Sequence, residues 1–224
     1  QLEKRDATTA YTETDANPIV KYQPTLQTAA SGEARFDHDP VTGESKGLLI
    51  EEARTNILLY SESIGQTNWP KNEINVYPDY GIAPDGTQTA NLCVPTSVAT
   101  THYIAQTISS TTGVFSMYAK AAGYSSVTML IVGAAHGIVF NIGNGTVTTS
   151  GGSPDGYGIE DVGNGWYRCW IYKNAANTSV YAYVQSSSGT FQGDGYSGAL
   201  LWGAQFEAGA FPTSYIPTSG STVT

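Results

Sequence analysis

From residue 47 onward, short apolar runs alternate with Gly, Asn, Asp, Ser or Pro, the punctuation of an all-β protein. The runs predict strands over 47–51, 56–60, 89–94, 102–108, 114–120, 126–132, 138–142 and 146–148. Four more follow over 157–162, 167–173, 179–185 and 199–207. Asn144-Gly145 predicts a two-residue hairpin turn, because both central positions must accept positive φ. Asn164-Gly165, just ahead of Trp166, predicts a second tight turn. No stretch carries the capped 3.6-residue period of an amphipathic helix, and only 51–58 could pass for a turn or two of one. Strands of this length and spacing predict a two-sheet antiparallel β-sandwich of the jelly-roll type. Residues 1–46 differ, with early charge, little apolar periodicity and turn formers at Asp39-Pro40 and Thr42-Gly43. They are expected to form an extended N-terminal arm with short strands. So few apolar residues cannot offset the arm's own ordering entropy, so it must lean on the main body or on a neighbouring chain. The jelly roll is assigned to 47–218 and a C-terminal tail to 219–224.

At 224 residues the chain can bury a sizeable core without disulfide staples. Charged residues make up only 13%, while there are 15 Tyr, which excludes both a disordered chain and a helical bundle. The net charge is −9, and with 10 Lys and Arg in all there is no basic face for phosphates. Nucleic acid and anionic membrane surfaces are therefore not expected partners. No apolar run approaches the roughly 18 residues of a membrane span, so no membrane insertion is expected. Cys93 and Cys169 each sit in an apolar run and read as buried free thiols, with a single bridge as the alternative. The chain opens on Gln1, which reads as processing, trimming or part of a longer polypeptide, and no signal-peptide pattern is visible.

Enzyme constellations are missing. His38, His102 and His136 stand far apart, and there is no nucleophile elbow, P-loop or dinucleotide turn. Glu51, Glu52, Glu160, Asp161 and Glu207 read as solvated strand ends rather than as a glycosidase pair. The chain is therefore not expected to be an enzyme. Asp37, Asp39, Asp79 and Asp85 offer loop carboxylates of the kind calcium takes, but without EF-hand spacing they read first as solvated turns. No cofactor is expected, structural calcium being the alternative.

The aromatic alternation is the most informative feature. With a period of two, 166–173 puts Trp166, Arg168, Trp170 and Tyr172 on one face, against Tyr167, Cys169 and Ile171. The same split sets Tyr181, Tyr183 and Gln185 against Val180, Ala182 and Val184, and sets Tyr118 opposite Phe115, Met117 and Ala119. If these strands are neighbours, Tyr118, Arg168, Trp170, Tyr172, Tyr181, Tyr183 and Gln185 form one glycan-binding platform of flat rings with polar tips. Two other readings stay open: a subunit interface, where Tyr and Trp are enriched, and cross-strand aromatic pairs that stabilise a sheet without a ligand. Trp166 and Trp202 read as core anchors.

Two segments carry a resemblance to a known family. Glu33-Ala-Arg-Phe-Asp-His-Asp-Pro-Val-Thr-Gly-Glu44, with Gly47-Leu-Leu-Ile-Glu-Glu-Ala-Arg-Thr-Asn56 and Leu58-Leu-Tyr-Ser-Glu62, resembles a segment of bacteriophage tail-fibre and head-spike proteins. Leu201-Trp-Gly-Ala-Gln-Phe-Glu-Ala-Gly-Ala-Phe-Pro-Thr-Ser-Tyr-Ile-Pro-Thr218 resembles the closing signature of the same proteins. Tyr118-Ala-Lys120 and Gly163-Asn-Gly-Trp-Tyr-Arg168 are similar to carbohydrate-binding-module jelly rolls. The resemblance spans about 28–218 and leaves Asn17-Pro-Ile-Val-Lys-Tyr-Gln-Pro24 unmatched. It implies an extracellular virion component that contacts other virion proteins, adheres to bacterial surface polysaccharide and is a homotrimer. The motif 47–56 is expected as an early strand near the closing strand, tying the ends of the domain together. Two alternatives remain: a purely structural virion or decoration protein without glycan binding, and a carbohydrate-binding module of a polysaccharide-degrading enzyme.

Overall fold

Two strands of about twenty residues organise the whole molecule. The computed structural model describes residues 25–29, 33–132, 136–149, 154–185 and 190–224. The arm's residues 1–24 and 30–32, including the unmatched stretch 17–24, lie outside them. Among the described residues all regular structure is strand: β1 (Phe36–His38), β2 (Ser45–Leu48), β3 (Lys71–Asn72), β4 (Ile74–Gly81), β5 (Ala90–Pro95) and β6 (Tyr103–Ala122). There follow β7 (Ser126–Val132), β8 (His136–Asn141), β9 (Thr146–Thr149), β10 (Gly156–Asp161), β11 (Trp166–Val184) and β12 (Gly198–Glu207). The runs expected at 102–108 and 114–120 are one strand, β6, and those at 167–173 and 179–185 are one strand, β11. These two pair antiparallel along their length, and the register slips between Lys173 and Ser179. Such a bulge is how a strand turns a corner from one sheet into another. Gly113 marks the corner on β6, where a Cβ would stand 2.3 Å from the Glu207 carbonyl oxygen.

Each long strand therefore serves two antiparallel sheets. The first runs β4-β5-β12-β6-β11-β10 and the second β3-β6-β11-β7-β8-β9. Phe115, Met117, Cys169, Ile171 and Leu201 from the first share one core with Ile104, Val127, Met129, Phe140, Val180 and Val184 from the second. The sheets thus pack face to face as the expected β-sandwich. Leu58, Ile64 and fully buried Trp69 fill the core from the loop after residue 56. Trp69 Nε1 donates to Leu59 O at 3.1 Å, so its polar tip is not stranded.

Local differences have local causes. β4 was not expected because Pro78 and Asp79 interrupt it. It is tolerated because it lies at the sheet's edge, where a missing N–H costs no ladder bond. The β8–β9 connection is longer than two residues, since Asn141 pairs with Thr146 and only Gly145 has positive φ, 72°. Asn164 and Gly165 do form the expected tight turn, at φ 57° and 75°. The strand expected over 47–51 lies at Ser45–Leu48 and pairs with β1, not near the closing strand. The strand expected over 56–60 is reduced to one bridge, Asn56 to Val223.

Cys93 and Cys169 are free and buried. Burial pushes the Cys93 thiol up to about 12 and the Cys169 thiol higher still. Since the thiolate is the reactive form, the folded protein should show no thiol reactive to a disulfide reagent at mildly alkaline pH. Both thiols should react in guanidinium, and a fast-reacting native thiol would contradict the burial.

Candidate functional site

Because β11 runs through both sheets, its outward side chains leave the molecule on opposite sides. Tyr118, Arg168, Trp170 and Tyr172 belong to the first sheet, whereas Tyr181 and Tyr183 belong to the second, with Gln185 just past its end. The single platform expected from alternation is therefore not formed. The strands are neighbours, but the corner at 173–179 separates the two groups.

On the first sheet the register lines up Glu160, Arg168, Tyr118 and Trp202 in one cross-strand row. Tyr118 is only 2% exposed and meets Trp202 and Tyr215 edge-on, at ring-centre distances of 5.4 and 6.0 Å. Burial pushes its hydroxyl above the usual tyrosine range. Arg168 is also buried, with its guanidinium over the Tyr118 ring at 5.4 Å and Nη2 donating to Ser116 Oγ at 3.2 Å. Half-buried Trp170 lies against β10, where a Cβ on Gly158 would come within 2.5 Å of its Nε1. Tyr172 is half-buried beside it. On this side the rings fill space between strands, as cross-strand aromatic packing does. Trp166 and Trp202 are core anchors as expected, donating from Nε1 to Ile82 O (3.1 Å) and Thr89 Oγ1 (2.9 Å).

What closes this face is a polar clasp between segments 51–62 and 204–218. Glu207, fully buried, accepts from Gln205 Nε2 (2.6 Å), Thr213 N (2.8 Å) and Thr213 Oγ1 (2.6 Å). Arg54 pairs with it at 3.9 Å, donates to Phe211 O at 2.8 Å and also binds Glu52. Glu51 accepts from Ser214 N (2.9 Å) and Oγ (2.6 Å) and pairs with Arg35 at 2.9 Å. Glu51 and Glu207 are thus clasp acceptors, not the solvated strand ends expected from sequence. Tyr215 donates to Glu62 at 3.1 Å, and burial holds the Glu62 carboxyl above the usual range. The ends of the domain are tied together as expected, but by side chains and one isolated bridge rather than by a strand.

On the second sheet's outer face Tyr103, Tyr181, Leu130 and Val139 are partly exposed and Thr148 is exposed, while Ala105, Thr128 and Gly137 are buried and Tyr183 is only 9% exposed. One cross-strand row there reads Asn72, Tyr103, Tyr183, Thr128, Val139, Thr148, and the next reads Ala105, Tyr181, Leu130, Gly137. Tyr103 stands 5.1 Å from Tyr181 and 5.0 Å from Tyr183, ring centre to ring centre, and Tyr181 stacks beside Tyr183 at 6.0 Å. Burial, then the neighbouring Tyr103 and Tyr181, pushes the Tyr183 hydroxyl up to about 12, so it stays protonated at neutral pH. Thr128 Oγ1 donates to Gln185 O at 2.8 Å, fixing the end of β11. Tyr103 and Tyr181, partly exposed over the nearly buried Tyr183, make an amphipathic surface together with Leu130, Val139 and Thr148. It can offer apolar contact and hydrogen bonds to the same ligand. Tyr103 was missed from sequence, although alternation over 102–108 separates Tyr103, Ala105 and Thr107 from Ile104, Gln106 and Ile108.

The remaining candidate residues serve the fold. His102 is fully buried, with its ring nitrogens against the carbonyl oxygens of Glu73 and, at 3.1 Å, Phe191. Asp37, Asp39 and Asp85 accept from backbone N–H groups of their own turns. Among the described residues no group of three or more His, Cys, Asp or Glu is gathered for a metal.

No family model matches the chain. No curated protein matches it either. Among solved structures, the K2 cleaved adhesin domain of Lys-gingipain aligns with 70% of this chain and 99% of that one, at 16% identity and a TM-score of 0.39.

Proposed function

We propose that this β-sandwich is a non-enzymatic binding module that holds host-surface saccharide on the outer face of its second sheet. Within that reading it is part of a bacteriophage tail fibre or head spike, present as a homotrimer. The observation that carries the binding assignment is the Tyr103–Tyr181–Tyr183 cluster, three adjoining rings of which Tyr103 and Tyr181 are partly exposed. The virion assignment draws support from the two segments that resemble fibre and spike proteins. Their Glu51, Arg54 and Asn56 bond directly to Glu207, Ser214 and Ile216, so the resemblance-bearing residues are the clasp itself. They specify a scaffold and leave the ligand to the tyrosine face.

The test is binding of the purified chain to bacterial cells and a bacterial glycan array, with molar mass by light scattering. Tyr181→Ala should weaken binding about tenfold or more, as loss of an aromatic anchor does, while its unfolding midpoint holds. Trp170→Ala, on the opposite side, should leave binding intact. A stable trimer that binds neither cells nor glycans would reject the adhesive role.

A further inference from the structure

The second sheet's outer face carries no charged side chain among the described residues. Its two central rows hold only Tyr, Thr, Asn, Val, Leu, Ala and Gly. The flanking rows, Thr107–Ser179–Val132 and Ser126–Asn141–Thr146, add only Ser, Thr, Val and Asn. The sequence has the same gap: stretches 86–119, 121–154 and 174–193 contain no Asp, Glu, Lys or Arg, in a chain with 10 basic and 19 acidic residues. Lys71, beside Asn72 at the end of the row, is already committed. Its Nζ donates to the carbonyl oxygens of Gly65 (2.9 Å), Gln66 (3.1 Å) and Trp69 (3.0 Å).

We infer, resting on the saccharide reading above, that this face takes an uncharged polysaccharide chain lying across the strands over about four sugar units. A carboxylate, sulfate or phosphate placed on the tyrosines would lose water without gaining a cation. It would also approach a protein of net charge −9. A neutral sugar asks only for rings under its C–H groups and hydroxyl or amide partners at its edges, and both are present. The span follows from the register. From Tyr103 to Thr148 the row crosses four inter-strand spacings of about 4.8 Å, roughly 19 Å. The tyrosines stand at one end, and Leu130, Val139 and Thr148 continue the accessible surface toward the other. The titratable groups facing the site are Tyr103, Tyr181 and Tyr183. With the Tyr183 proton held to about 12, binding should not change across neutral pH.

The experiment is affinity electrophoresis and titration calorimetry of the full chain against neutral polysaccharides and their carboxymethylated or sulfated counterparts, at low and high salt. A neutral polymer should bind, independently of salt, and its anionic derivative should bind at least several-fold more weakly. Affinity along an oligosaccharide series should level off near four units. Tyr181→Ala should abolish retention, and Tyr181→Phe, which keeps the ring, should preserve most of it. Tighter, salt-sensitive, Tyr181-dependent binding of the anionic polymer would overturn the inference and leave the saccharide site standing. Failure of every saccharide would sink both. A Tyr181→Ala variant that changes the molar mass but binds no sugar would make the face a contact between copies.

Discussion

Replacing Asn56 by Ala is expected to lower the unfolding midpoint by about 8–16 °C, corresponding to about 4 kcal/mol for a chain of this size. Asn56 is fully buried, and its side-chain amide makes every bond available to it. Nδ2 donates to Ala204 O (3.1 Å) and Ile216 O (2.8 Å), while Oδ1 accepts from Leu58 N (3.1 Å) and Phe206 N (3.1 Å). Truncation strands the buried Ala204 carbonyl, the half-buried Ile216 carbonyl and two buried N–H groups at once, at about 1–3 kcal/mol each before relaxation. Thermal unfolding followed by circular dichroism reads the effect directly. A shift within about 2 °C, comparable to an ordinary surface substitution, would mean that water or backbone movement replaces those bonds.

Arg54→Met should cost a similar amount, about 3–5 kcal/mol, for a different reason. The Arg54 guanidinium faces Glu207, whose side chain is fully buried at 3.9 Å. Met keeps most of the stem's packing and removes the charge, leaving a buried carboxylate without its counter-ion. The double variant Arg54→Met, Glu207→Gln should recover much of the loss, since Gln can still accept from Thr213 N through its carbonyl oxygen. Strong non-additivity in chemical denaturation is therefore the expected signature. If the double variant is as unstable as the sum of the two singles, the coupling assigned to this pair is absent.

The sequence pattern disclosed which way side chains point more reliably than which strands are separate. Alternation placed Phe115, Met117, Cys169, Ile171, Val180 and Val184 inward, and all lie in the core. It could not reveal that Val114–Lys120 continues from Tyr103, because the intervening Ser109-Ser-Thr-Thr-Gly113 reads as a loop while serving as the corner of β6. That corner sends Trp170 and Tyr181 to opposite sides, so half of the platform was legible and its unity was not. Tyr118 shows a second limit: a period of two marks it outward from its own sheet, but cannot foresee that Tyr215, nearly a hundred residues later, covers it. Glu207 was misread for the same reason, since its partners Arg54 and Thr213 arrive from segments that have no periodicity. β4 escaped because Pro78 argues against a strand everywhere except at an edge.

The bridge between Asn56 and Val223 bears on how such a sandwich can be carried. Their backbones exchange hydrogen bonds of 2.9 and 3.3 Å, which joins two segments far apart in the sequence. Tension applied at the two points would open the bridge before it reached β6 or β11. The sheet bearing the tyrosines would then be shielded from load at the mooring.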